Sequence, residues 1–438
     1  MAIRHFLPGL AALVLACGPA RKQDMTDPLT PIGTAYVRLA LAVGAHDPDY
    51  VDAFYGPAEW KTAADSAKLP IGEIRTRAAA LLDSLRVVKL PDTTELVRLR
   101  QSYLTRQLES MAARLDMLEG TRLSFDEESR ALYGVAAPTG DEEHFQMVIR
   151  RLDSLLPGTG PIAARYTAWR RGFIVPTPRL DTVFKAAIAA CRERTLAHMT
   201  LPPGESFTLE YVTGKPWTGY NWYKGNFQSL IQVNTDVPVF IDRALDVACH
   251  EGYPGHHTYN MLLERELVRG RGWPEYQVYP LFSPQSLIAE GSANYGIDIA
   301  FTEAERLAFE REVLFPLAGL DPSLAERYAA VQDIAREVSY AVNDAAREYV
   351  EGRIDAKKAA EWLERYALMS PEQAAQRVRF MDRYRSYVIN YNFGRDLVGG
   401  YIDRETGAGA SQDARWKMFS SLLASPRLPQ DLFPSTEQ

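Results

Sequence analysis

The chain has 438 residues, 46% of them hydrophobic and 24% charged, with a mean hydropathy of -0.23. This is the composition of a folded, water-soluble protein with enough chain, at roughly 100 to 200 residues per domain, for a large core; it disfavours a disordered or membrane-embedded body. Its 49 Lys and Arg stand against 56 Asp and Glu, a net charge of -7, so no nucleic-acid partner is expected, because such a partner calls for a basic surface.

Residues 1–16 read MAIRHFLPGLAALVLA, with Arg4 ahead of an apolar run too short to span a bilayer, and are expected to be a signal peptide. Val14-Leu15-Ala16-Cys17 resembles a bacterial lipobox, which makes Cys17 the expected site of lipidation; ordinary cleavage nearby is the alternative. Residues 17–28 then form a tether. The implied location is the periplasm or cell envelope of a bacterium, with membrane contact only through the lipid.

Residues 29–203 form an N-terminal helical region. Ile71, Ile74, Ala78, Leu81, Leu82 and Leu85 recur at spacings of three and four, and so do Leu104, Leu108, Met111, Leu115 and Leu118. The pattern changes near residue 203. Alternation of apolar and polar residues predicts strands over 205–212 and 226–234, separated by an aromatic-rich loop, GKPWTGYNWYKG, that serves either binding or packing. A helix is expected to start near residue 237, with Ile241, Ala244, Leu245, Ala248 and Cys249 as its apolar stripe, leading into His250-Glu251. Ser283-Pro284 opens another helix, and Ser370-Pro371-Glu372-Gln373 spells a capping box. The fold class is therefore mainly α with a small β-sheet, residues 204–438 forming a metal-binding catalytic region. Because Cys249 falls on an apolar helical stripe, Cys191 and Cys249 are expected to be buried free thiols, a disulfide between them being the alternative.

Three of the seven histidines fall in the segment HEGYPGHH, residues 250–257. The zinc-protease helix H-E-x-x-H places two imidazoles on one face through a spacing of four, but position 254 here is Pro. On an ideal helix His256 lies about 600° from His250, and His257 lies about 700° away and about 10.5 Å up the axis. Neither joins His250 at one ion without help. Pro254 removes a helix hydrogen bond and Gly255 widens the available dihedrals, so a bulge or break can swing a second imidazole back. His256 needs less rewinding and is favoured over His257; a capped helix end with two polar imidazoles is the alternative. A third ligand is needed if one position is to stay open for water. Glu290 follows the helix start at Ser283 amid small and apolar neighbours, where an acid wants a cation, and Asn294, four residues on, is placed to support it. An interhelical salt bridge is the alternative for Glu290.

HEGYPGHH, then SLIAEGSANYG, then YRSYVINYNFG near the end resemble the bacterial family known as domain of unknown function 885, with YVDAFYGPAEW at 50–60 also in character. That family is similar to the gluzincin metallopeptidases, which use H-E-x-x-H and a downstream Glu. The resemblance implies a zincin-like helical fold, one Zn2+ held by His250, His256 or His257, and Glu290, and Glu251 as general base. Tyr391 matches the position of a family Tyr and is preferred to Tyr387 as oxyanion donor. The strand over 228–234 precedes the active helix as the gluzincin substrate-pairing strand does, which makes Gln232 and Asn234 expected rim contacts for an extended peptide. The expected activity is zinc-dependent peptidase action on oligopeptides. A hydrolase of another amide or ester, and a non-catalytic zinc-containing binding lipoprotein, are the alternatives.

Overall fold

A computed structural model of the chain describes residues 27–90, 94–215 and 217–434. The signal peptide, Cys17 and all but the end of the tether lie outside the described residues. Helices dominate, and five short strands interrupt them among the described residues.

The predicted stripes become buried faces. The Glu95–Leu118 helix seats Leu104, Leu108, Met111 and Leu115 in the interior, and the Ile71–Val87 helix seats Ile74, Ala78 and Leu85. Side chains three and four apart share one helical face, so such a stripe leaves water in a single step of packing. Leu104 and Leu108 share an apolar core with Leu245, Leu287 and Val398, so residues from both halves of the chain are buried together. A smaller cluster gathers Phe145, Val148 and Leu152 against Val331, Val338 and Tyr366.

Strand β1 (Val51–Phe54) pairs antiparallel with β5 (Val278–Pro280). Strands β2 (Ser206–Val212), β3 (Gly219–Gly225) and β4 (Gln228–Asn234) form a second sheet in the order β2-β4-β3, with β2 parallel and β3 antiparallel to β4. The two expected strands are present, but the loop expected between them contains β3. Its alternation of Asn221 and Tyr223 inward with Tyr220 and Trp222 on the other face was hidden by the flanking glycines and an asparagine. The consequence is that β4 is central rather than an edge.

The helix expected near 237 begins at Ile241, after an extended Phe240 that bridges to Ile174. Ser283 precedes the Pro284–Ala300 helix, with Pro284 in its first turn, and Ser370 and Gln373 make both bonds of the capping box on the Pro371–Tyr384 helix. The cysteine expectation is corrected. Cys191, in the Leu180–His198 helix, is bonded to Cys249, their Cα atoms 5.8 Å apart. An apolar stripe looks the same whether its cysteine is free or bridged, so periodicity could not separate the two cases. No helix among the described residues is long and apolar enough to cross a membrane.

Candidate metal centre

The Ile241–Val247 helix passes into a π-helical turn, Ala248–Gly252, breaks over 253–255, and resumes as the His256–Leu263 helix. The Gly255 N–H donates to the Cys249 carbonyl at 2.9 Å. A Cβ on Gly255 would lie 1.9 Å from the His250 carbonyl oxygen, so the chain doubles back where no side chain fits. This is the break that the Pro-Gly pair suggested, and it returns His256 to His250. Their Nε2 atoms are 3.1 Å apart with the rings edge to face.

The third member comes from the Pro284–Ala300 helix. Gly291 packs against Gly394 of the Ile389–Thr406 helix so closely that a Cβ would stand 2.5 Å from the Gly394 carbonyl carbon. That approach places Glu290 beside Tyr387, in the 3-10 turn Arg385–Val388 that leads into the last-named helix. Glu290 Oε1 accepts from the Tyr387 hydroxyl at 2.8 Å. Its Oε2 lies 3.4 Å from His250 Nε2 and 3.8 Å from His256 Nε2, yet it is buried and makes no hydrogen bond. Donor atoms around a tetrahedral zinc at about 2.0–2.1 Å stand roughly 3.3 Å apart, so the triangle of His250, His256 and Glu290 fits one such ion. An orphaned carboxylate oxygen facing two imidazole nitrogens points the same way.

The electrostatics agree. Burial alone would raise the Glu290 pKa, but the pull of His250 and His256 outweighs it and holds the carboxyl far below its usual range. Burial opposes charge on His256, and Glu290 overrides it, lifting the imidazole to about 9. Glu251 stays out of the triangle. Its Oε1 is 4.0 Å from His250 Nε2, and burial raises its pKa against the pull of the histidines. Strand β3 runs past it: Asn221 donates to the Glu251 carbonyl at 2.7 Å, and a Cβ on Gly219 would sit 2.9 Å from Glu251 Oε1.

Other expected site residues are placed differently. His257 is fully buried, its Nδ1 2.8 Å from Ser229 Oγ and its Nε2 3.1 Å from Glu205 Oε2. Adjacent helical residues point about 100° apart, so one of the pair faces the ion site and the other the sheet. Glu205 also accepts from Tyr253 and Arg192, and these partners hold its pKa near 2 despite burial. Asn294 donates to the Tyr391 backbone carbonyl at 3.3 Å, so it joins two helices rather than supporting Glu290. Gln232 bonds Trp222 and Glu210. The Asn234 amide is buried and donates to the Lys215 and Trp217 carbonyls. Both sit on the central strand, which has no open edge, so neither is a rim contact for a strand-like substrate; β3 is the strand that reaches the site.

Tyr391 stacks edge to face on Tyr387, centroids 5.7 Å apart, and its phenol is pushed up by burial and by Glu290. The sequence weighed Tyr387 only as an alternative oxyanion donor, whereas its hydroxyl is tied to Glu290. One neighbour was missed altogether. Asp52 on β1 accepts from Tyr220 and is raised to about 6, burial outweighing that hydrogen bond and the pull of His256. The motif around Asp52 was visible, but nothing in it told which distant residues it would meet.

No family model matches the chain, and neither does any curated protein. Among solved structures the chain is similar to the "putative lipoprotein" from Colwellia psychrerythraea, with TM-score 0.51 and 12% identity, covering 92% of this chain and 74% of that one. The two share an overall fold. A "putative lipoprotein of unknown function" from Shewanella oneidensis aligns at TM-score 0.40 and 12% identity over 83% of this chain and 76% of that one. The M32 carboxypeptidase from Deinococcus radiodurans R1 aligns at TM-score 0.39 and 13% identity over 92% of this chain and 94% of that one.

Proposed function

We propose that the chain is a zinc-dependent hydrolase of peptide bonds, of the gluzincin type, with His250, His256 and Glu290 as its metal ligands. The observation that carries this reading is the buried, unpartnered Oε2 of Glu290 facing the two Nε2 atoms. A zinc held there supplies Lewis-acid polarisation of a carbonyl and a lowered pKa for water. Glu251, adjacent to but outside the ligand triangle, takes the proton of the attacking water and hands it to the leaving amine. Burial raises its pKa, which makes it a better base than an exposed carboxylate. Tyr391 donates to the developing oxyanion, because the Tyr387 hydroxyl is already bound to Glu290. The outer edge of β3, paired with β4 on one side only, offers main-chain groups to an extended peptide.

The three motifs behind the resemblance to domain of unknown function 885 supply the ligand turn, the Glu290 helix and the tyrosine pair, which supports membership of that family. The Cys191–Cys249 disulfide suits an oxidising compartment, and with the N-terminal pattern supports an exported protein lipidated at Cys17. The test is zinc analysis of the purified chain followed by digestion of a mixed peptide library. About one zinc per chain with cleavage is expected. Zinc without cleavage overturns the hydrolase, and failure to bind zinc overturns the site.

A further inference from the structure

We infer that Glu128, a buried carboxylate of the N-terminal half, is a positioning residue for the metal centre: it holds the turn that sets Tyr387 on Glu290. The inference rests on the metal-site reading above and adds a distant residue on which the geometry of that site depends.

Glu128 lies on the Phe125–Tyr133 helix, with 1% of its surface exposed. Its Oε1 accepts from the Ser386 backbone N–H at 3.1 Å and from the Ser386 hydroxyl at 2.6 Å, and its Oε2 accepts from Arg385 Nε at 2.6 Å. All three bonds fall on the two residues just before Tyr387. The helix that carries Glu128 is itself fixed. A capping box of Ser124 and Glu127 closes its first turn, and Arg347, on the Ala341–Val350 helix, donates to Asp126 at 3.0 Å. Tyr133, at the far end of the same helix, meets the Tyr387 ring edge to face, centroids 6.0 Å apart.

The turn needs such a hold. The Pro371–Tyr384 helix stops at Arg385, whose φ is +48° and ψ is -115°. A residue with a Cβ avoids that conformation, and it persists only where the surroundings over-determine it. Released, Arg385 would return to negative φ, and a rotation there re-aims the chain after it, carrying Tyr387 off Glu290. Glu128 opposes this with charge-assisted bonds, which are the stronger kind. Ser386 is fully buried, so its N–H and hydroxyl would also be stranded if they left the carboxylate.

The consequence reaches the ion site through one contact. The Tyr387 hydroxyl occupies Glu290 Oε1 at 2.8 Å, which leaves Oε2 turned to His250 and His256. Hydrogen-bond partners that orient a ligand in this way typically change metal affinity about 10- to 100-fold. Glu128 therefore acts on the metal through Ser386, Arg385 and Tyr387. A site whose ligands all lie beyond residue 204 depends in this way on a helix of the N-terminal region.

The experiment is a double-mutant cycle on the zinc affinity of the full chain, measured by competition with a chelator of known affinity. Glu128→Gln keeps the shape of the side chain, but its one amide oxygen cannot serve both the Ser386 and the Arg385 donors. It should weaken zinc binding about 10-fold when Tyr387 is present, and by less than about twofold in a Tyr387→Phe background. Ser386→Ala removes a single bond at little risk to folding and should weaken binding about threefold, again only when Tyr387 is present. Unchanged affinity in folded Glu128→Gln, or an equal loss in both backgrounds, overturns the inference, because a merely structural role would not pass through Tyr387. If Glu128→Gln shows no cooperative melting, Ser386→Ala decides by the same two criteria. If the wild type binds no zinc, the metal-site reading fails by itself, and crystal structures of the metal-free wild type and of Glu128→Gln or Ser386→Ala then decide the positioning role. The Tyr387 hydroxyl should sit on Glu290 in the wild type and leave hydrogen-bonding distance in the variant; a hydroxyl that stays in place overturns the inference.

Discussion

Replacing Cys191 and Cys249 together by Ala should weaken the fold by a calculable amount. The bridge closes a loop of 58 residues. In the chain-entropy treatment a loop of that length removes about 14 cal/mol/K from the unfolded ensemble, or about 4 kcal/mol at 25 °C. Unfolding entropy near 2.1 cal/mol/K per residue gives about 0.9 kcal/mol/K for 438 residues, so the melting temperature should fall by about 4–5 °C. The double replacement leaves no stray thiol, and both positions are fully buried and small, so little packing is lost with the sulfurs. Thermal denaturation in matched buffers reads the shift, and a thiol titration of the denatured wild type checks its premise. Of three cysteines, two are bridged, so at most one should react without reductant. A variant that melts with the wild type, or a denatured wild type that titrates three thiols, would refute the reasoning. Cys249 adjoins His250, so the variant should also hold zinc less tightly than the wild type.

His256→Ala should empty the zinc site, while His257→Ala should keep one zinc per chain but lose about 1–3 kcal/mol of stability by stranding Ser229 and taking one of the three partners from Glu205; metal analysis and melting curves separate them. Tyr391→Phe should lower kcat about 100- to 1,000-fold with zinc retained, whereas Tyr387→Phe should chiefly cut zinc affinity by about 10- to 100-fold; the reverse pattern in kinetics and zinc titration would exchange their roles. In the metal-free chain His256 is protonated up to about pH 9, so zinc binding at pH 7 should release about one proton and weaken as pH falls. Calorimetry in buffers of different ionisation enthalpy measures this, and no release would contradict it. The same raised pKa makes the metal-free fold gain most from His256 below its ordinary 6.5 and lose that gain as pH climbs through about 9.

Much of the architecture was legible because periodicity reports burial directly. The 104–115 stripe, the strands at 205–212 and 226–234, and the capping box at Ser370 all rest on local patterns that the structure reproduces. The ligand pair was legible in part: a Pro-Gly break after His250 pointed to a second imidazole swinging back. Which imidazole it is depends on where the chain restarts as helix, and His257 differs from His256 only by facing Ser229 and Glu205 across the turn. Pairing between distant segments was not legible. β3 hid behind turn residues, and its insertion made β4 central, which removed Gln232 and Asn234 from the rim. The Cys191–Cys249 bond, the Asp52–Tyr220 contact and the Tyr387–Glu290 bond likewise join elements far apart in sequence. No single stretch of chain encodes such meetings.

The most direct test of the central claim is Glu251→Gln, with zinc content, melting temperature and peptide turnover measured on one preparation beside the wild type. Gln keeps the shape of the side chain but cannot accept the proton of water, and a positioned general base contributes about 100- to 10,000-fold. The account predicts about one zinc per chain, and a turnover at least about 100-fold lower. Removing a buried carboxylate whose pKa is raised should leave the melting temperature unchanged or higher. Full turnover in the zinc-replete variant would contradict it.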